Sequence, residues 1–418
     1  MTTQLRRLAA LCLVILTVLV VTDARVTTTG ALPLIQQTGL KYVGAFRVPA
    51  GNFGGSSFAY GGTAMAYNPA RNSLFMVGHD WQQQVAEVSI PAPVNSASVD
   101  ALPMATVIQP FADATEGRFG MVTSDIQGVK VGGLMVSNTK LYGSLYIYYD
   151  GSGSQKLSHF VRSTNLSQSS IQGPFEVVGT GAVAGHMVPV PQTWQSLLGG
   201  PALTGQCCIP ILSRTSFGMS AFAFNPAQLG QVSPVPTTRL LYYSQDHPLA
   251  VWDQTSSMFN GSTHLAGMVF PEGSGSVLYF GRQGIGNYCY GFGTTQQPVP
   301  PPAADGTQYC YDPTSDSKGN HAYPLVYQVW AYSADDLAAV KRGAKQSWEL
   351  RPYATWQLTF PITTWIAQLN GIAYDPAHQR IWVSQAFGDG DRPVIHAFDL
   401  NLAPVPSIAS PQNVRIVG

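Results

Sequence analysis

The chain has 418 residues, no net formal charge and only 11% charged side chains, against about 25% in an average soluble domain. With Lys and Arg scattered along it, the composition argues against nucleic acid or an anionic membrane as the main partner. The 42 Gly, 30 Pro, 19 Tyr and 18 Phe suit many short strands joined by turns.

The first element in the chain is a targeting segment. Arg6 and Arg7 precede an apolar run at 8–21, and Thr22-Asp23-Ala24 offers small residues for cleavage, so 1–24 reads as a secretory signal peptide. The run is shorter than the ~20 residues a spanning helix needs, and no later segment is long and apolar enough to cross a membrane. Residues 41–48, KYVGAFRV, resemble an outer strand such as 355–360, TWQLTF.

A unit then recurs: a first strand rich in Gly, Ala and Met, a tight turn, and a bulky second strand. Copies lie at 61–81, 131–153, 216–248, 264–284 and 369–391. Three of the turns are Asn68-Pro69-Ala70, Asn225-Pro226-Ala227 and Asp375-Pro376-Ala377. In each, Pro presets φ and the Asx side chain bonds its own backbone. Third and fourth strands are expected among Val85–Ile90, Lys156–Arg162, Tyr327–Tyr332 and Val394–Leu400. One helix is predicted at 333–344, with Ser333 as N-cap and Asp335 and Asp336 in its first turn. Residues 403–418 read as a Pro- and Ser-rich tail or linker.

After signal cleavage four cysteines remain: Cys207, Cys208, Cys289 and Cys310. An even number in an oxidising compartment suggests disulfides. Cys289 and Cys310 bracket a Pro-rich insertion and are the favoured pair, leaving Cys207-Cys208 as a vicinal disulfide or as thiols. The other pairings would tie the 200–213 loop to the insertion. Adjacent cysteines fit two corners of one zinc tetrahedron poorly, and no CxxC unit is present.

The repeats point to an all-β fold, a β-propeller spanning 25–402 with five blades, closed by the N-terminal strand joining the last blade. Six or seven blades, a β-sandwich and two β domains are the alternatives. In a propeller, residues that follow second strands and residues that open first strands share one face. That face would gather His79, Asp80, Trp81, Asp125, Asp150, Arg214, Asp246, His247, His264, Arg282, Gln283, Asn370, Asp389, Asp391 and Arg392.

Carboxylates beside aromatics suit carbohydrate chemistry, in which one carboxyl serves as acid and a second as base or nucleophile. Asp80, Asp125, Asp150 and Asp246 are the candidate carboxylates, Asp80, Asp125 and Asp246 foremost, with His79 and His247 as further catalytic candidates. Trp81, Tyr243, Trp252, Arg282 and His264 are candidate substrate contacts. A lyase would instead draw on a His or Tyr base and a cation such as Arg282. Asp389 and Asp391, in Gly-Asp-Gly-Asp, could hold calcium through oxygens. No other cofactor is required by any motif.

The run KLSHFVRSTNL at 156–166 and the expected fold resemble the five-bladed propeller glycoside hydrolases of the arabinanase and β-xylosidase kind. That resemblance implies carboxylates opening the inner strands of successive blades, with a Glu as acid. Asp125 is the one acid so placed, while the first and third units offer Tyr60 and Ser216. The sequence therefore leaves two functions standing: a secreted enzyme acting on extracellular polysaccharide, as glycoside hydrolase or polysaccharide lyase, and a non-catalytic propeller binding a glycan or surface protein.

Overall fold

The computed structural model describes residues 32–208 and 215–402. The proposed signal segment 1–24, the tail 403–418 and Arg214 lie outside the described residues.

Strand β1 (Leu40–Arg47) comes first. Strands β2 (Met65–Asn68), β3 (Ser73–Val77), β4 (Val85–Ser89) and β5 (Val107–Ala112) form one sheet in that order. A second sheet holds β6 (Val129–Ser137), β7 (Lys140–Ile147), β8 (Leu157–Ser163) and β9 (Gln172–Glu176). The third holds β10 (Met187–Pro189), β11 (Ala202–Thr204), β12 (Ala221–Phe224) and β13 (Thr238–Leu241), with helix α1 (Gln192–Leu198) between its first two strands. The fourth begins with β14 (His264–Val269) and β15 (Ser276–Gly284). The chain then leaves it to make a small sheet of β16 (Cys289–Thr294), β17 (Tyr309–Tyr311) and β18 (Lys318–His321), and returns with β19 (Leu325–Ser333), helix α2 (Ala334–Lys341) and β20 (Ala354–Gln357). The fifth contains β21 (Leu369–Asp375), β22 (Arg380–Asp389) and β23 (Arg392–Leu400), and β1 pairs antiparallel with β23 from Leu40↔Leu400 to Arg47↔Val394.

The five four-stranded antiparallel sheets are arranged as a β-propeller. Their first strands touch in the order β2, β6, β10, β14, β21, and β21 touches β2 again. Crowding at this axis explains the small residues of the first strands. A Cβ on Gly133 would lie 2.2 Å from the carbonyl oxygen of Gly185, and one on Gly267 would lie 2.6 Å from Ile372. Neither position has room for a side chain.

Large apolar side chains fill the space between neighbouring sheets. Leu74, Met76, Trp382 and Ile395 join the first and fifth sheets, and Phe75, Val77, Leu141 and Phe160 join the first and second. The third and fourth sheets meet instead through a tyrosine network. The Tyr243 hydroxyl lies 3.0 Å from that of Tyr332 and donates to the Leu350 carbonyl at 2.7 Å, while Tyr279 donates to Ser220 O at 2.9 Å.

The predicted turn chemistry is present: Asn68, Asn225 and Asp375 each accept from the backbone N–H two residues on, at 3.2, 3.0 and 3.0 Å. Helix α2 starts after Ser333 as expected, though the Ser333 side chain makes no capping bond. The third repeat departs from its sequence reading. Its innermost strand is β10, and the 216–248 unit supplies the third and fourth strands instead. A three-residue inner strand carries no periodicity to read, and an Asn-Pro-Ala turn closes an outer hairpin as well as an inner one. The favoured bond Cys289–Cys310 forms, and of the two states left open for Cys207-Cys208 the vicinal disulfide is the one present. No helix among the described residues is long and apolar enough to cross a membrane.

Candidate functional site

Residues that follow second strands and residues that precede first strands meet around the axis and enclose a cleft of about 590 Å³. Asp80 and Trp81 come from the β3–β4 connection, Tyr148 from β7–β8, Cys208 from β11–β12 and Asp391 from β22–β23. Tyr60, Gln127, His264, Gln368 and Asn370 come from the starts of first strands.

The backbone around this cleft is held in an uncommon conformation. Of nine non-glycine residues with positive φ among the described residues, four line it: Tyr60 (54°), Gln83 (52°), Cys208 (90°) and Phe387 (59°). Such residues cost about 1–3 kcal/mol each and persist where surrounding bonds hold them. The Tyr60 N–H donates to Asp391 O at 2.7 Å, and Phe387 sits in an irregularity of the β22–β23 pairing between Gln385 and Asp389.

Aromatic rings here face solvent. Trp81 is 76% exposed, Trp365 59%, Tyr60 52% and Tyr148 44%. The Tyr60 ring packs edge-on against His79 at 5.4 Å and Phe387 at 6.1 Å, and Trp365 lies 4.8 Å from Phe387. Contiguous exposed apolar surface of this kind marks an interaction site.

Among the polar groups, Asp80 is clamped. Its Oδ2 accepts from Lys130 Nζ at 2.9 Å and its Oδ1 from Gln83 Nε2 at 3.1 Å. Gln83 in turn accepts from the Val131 N–H at 2.7 Å, so Asp80 is tied to the start of β6. Asn370 donates to Gly61 O at 2.7 Å and accepts from Gln368 at 3.1 Å, and Gln368 Oε1 accepts from Arg282 Nη1 at 3.1 Å. His264 Nδ1 is buried without a hydrogen-bond partner. Burial, with Arg282 and His186 adding to it, pushes the His264 pKa down to about 3, so the ring is neutral at physiological pH.

A second cavity of about 250 Å³ adjoins, between the fourth sheet and the small sheet; Tyr148 lines both, and Arg282, Asp312 and His321 line the second. His321 Nδ1 and Asp312 Oδ2 are 2.8 Å apart. Their contact raises the His321 pKa and lowers that of Asp312, in each case against the burial of the group.

The remaining sequence candidates are distributed elsewhere. His79 stands at the cleft rim, where its Nδ1 accepts from the Trp81 N–H at 3.2 Å. Asp125 is exposed one turn before Gly128 and does not line the cleft. Asp246 and His247 follow the outermost strand β13, and the His247 ring stacks on Trp348 at 4.7 Å, away from the axis. Tyr243 is fully buried in the tyrosine network. Trp252 packs against Phe217 and Phe259. Asp150 accepts from Ser154 and Gln155 within its own loop.

Asp389 Oδ2 is bonded to Arg392 Nη2 at 2.6 Å, and among the described residues neither Asp389 nor Asp391 joins a group of three potential metal ligands. The one such group is His186 with Cys207 and Cys208, whose sulfurs are bonded to each other.

Sequence reasoning missed Lys130, Tyr148, Gln368, Phe387 and Trp365. Phe387 and Trp365 carried a signal, being large aromatics in Gly- or Thr-rich connections, but nothing local shows that they meet.

No protein-family model matches the chain, and no curated protein does. Solved structures match the chain at low identity. The native Bacillus subtilis arabinanase has 11% identity and a TM-score of 0.44, over 86% of this chain and 97% of that one. An endo-arabinanase from Bacillus licheniformis has 9% identity and a TM-score of 0.40, over 84% and 95%. A luciferin-regenerating enzyme has 7% identity and a TM-score of 0.36, over 88% and 95%.

Proposed function

We propose that this chain is a secreted, five-bladed β-propeller, sealed by β1 completing the last blade, that binds extracellular polysaccharide in the cleft. The observation that carries this reading is the platform of exposed rings, Tyr60, Trp81, Tyr148 and Trp365, around a cavity furnished with amide side chains. Sugar rings present one apolar face of C–H groups and a rim of hydroxyls. Aromatic rings take the face, and Gln127, Gln368 and Asn370 supply donors and acceptors for the rim. The two disulfides are compatible with an oxidising extracellular location and with 1–24 acting as an export signal.

Recognition without hydrolysis is the first reading, because both Asp80 oxygens are already engaged by Lys130 and Gln83. Hydrolysis is the second, favoured by one observation: two carboxylates, Asp80 and Asp391, line the same cleft. The test is a titration of a soluble polysaccharide panel into the chain, read by tryptophan fluorescence, with released reducing ends and new ultraviolet absorbance measured in parallel. Binding that quenches Trp81 without product supports recognition. Reducing ends lost in Asp391→Asn support hydrolysis. The absence of binding across the panel overturns both.

A further inference from the structure

Arg282 and His264 are cross-strand partners on β15 and β14; His264 lines the cleft and Arg282 lines the adjoining cavity. Each has a buried nitrogen without a hydrogen-bond partner, Arg282 Nε and His264 Nδ1. Buried polar atoms in folded proteins are almost always satisfied, and an orphan asks for a missing partner. The one hydrogen bond made by the Arg282 guanidinium among the described residues uses Nη1, which donates to the neutral Gln368 amide. The Nε–Nη2 edge is therefore unused. No carboxylate among the described residues lies within ion-pair distance of Arg282; its nearest acidic influence, Asp312, is committed to His321 and Thr314.

A guanidinium edge with two parallel N–H groups matches the two oxygens of a carboxylate. His264, uncharged and carrying its proton on Nδ1, would add a third donor. We propose that the missing partner is a carboxylate of the bound glycan, so that the cleft takes an acidic chain containing uronic acid rather than a neutral one. This inference rests on the glycan-binding reading above and adds the substrate class.

The test is isothermal titration of the full chain with oligogalacturonate and oligoalginate, each against its methyl ester, and with a sulfated dextran oligosaccharide. The expected result is that one of the acids binds at least about tenfold more tightly than its ester, the size of one charge-assisted contact. Arg282→Gln should abolish that preference, bringing acid and ester to equal affinity, while Trp81→Ala should weaken acid and ester alike. Equal affinity for acid and ester, or a preference for the sulfated chain, overturns the carboxylate assignment and leaves the glycan cleft standing. Failure of every oligosaccharide to bind overturns both. Should Arg282→Gln not fold, the acid-against-ester comparison on the parent chain still decides.

Discussion

The two mouths of the propeller axis are built from the same first strands and differ in almost everything else. At one mouth, connections of variable length bring strained backbone, exposed aromatic rings and amides around a cleft of about 590 Å³. At the other, tight turns leave a depression of about 130 Å³ lined by Met65, Met135, Met187, Met268, Phe270 and Tyr374. Short hairpins can only repeat themselves, whereas longer connections are free to vary, so chemistry collects at one end of the axis.

The largest expected effect breaks both ends at once. His159 and His396 are buried between sheets with both ring nitrogens bonded, and burial pushes the pKa of each down to about 3. A histidine that must stay neutral when folded stabilises the fold above its unfolded pKa of about 6.5. That stability is lost as pH falls towards the folded value, at up to about 1.4 kcal/mol per pH unit for each ring. Urea unfolding between pH 7 and 4.5 should therefore show stability falling by several kcal/mol, with His396→Gln flattening the slope.

The next effect is confined to the turn-bearing end. Glu87 is fully buried beside the Asn68 turn and accepts from Asn68, Ser73 and Gln109, with Arg71 at 3.1 Å. Glu87→Ala strands all of these donors and should cost about 3–5 kcal/mol in thermal or urea unfolding, with glycan binding per folded molecule unchanged. Breaking Cys289–Cys310 by Cys289→Ser reopens a 21-residue separation and should cost about 3 kcal/mol, with proteolysis starting in the small sheet. The smallest effect sharpens the contrast. Trp81→Ala should weaken glycan binding about tenfold while moving stability by no more than about 0.5 kcal/mol, because the ring is mostly exposed.

The turn-bearing end was legible in the sequence, and the cleft only partly so. Asx-Pro-Ala turns announce themselves because their chemistry is local, and the bulky second strands β3, β15 and β22 follow from alternation. The third repeat misled because Leu240-Leu241-Tyr242-Tyr243 has the composition of a second strand although it ends the outermost one. Tyr243, Asp246 and His247 were therefore expected at the axis when they lie a full sheet width away. In the cleft, Asp80, Trp81, His264 and Asp391 were placed by the repeat. The positive φ of Tyr60 and Phe387, which aims their rings, depends on contacts between segments more than 300 residues apart and leaves no local trace.

The pairing of β1 with β23 has a consequence for synthesis. A chain made from its N-terminus delivers β1 first and the partner of β1 last, since Leu40 waits for Leu400. Until then Ala45, Phe46 and Val48, all buried in the finished fold, lack the strand that covers them. The fifth sheet thus acts as a clasp that cannot fasten on an incomplete chain.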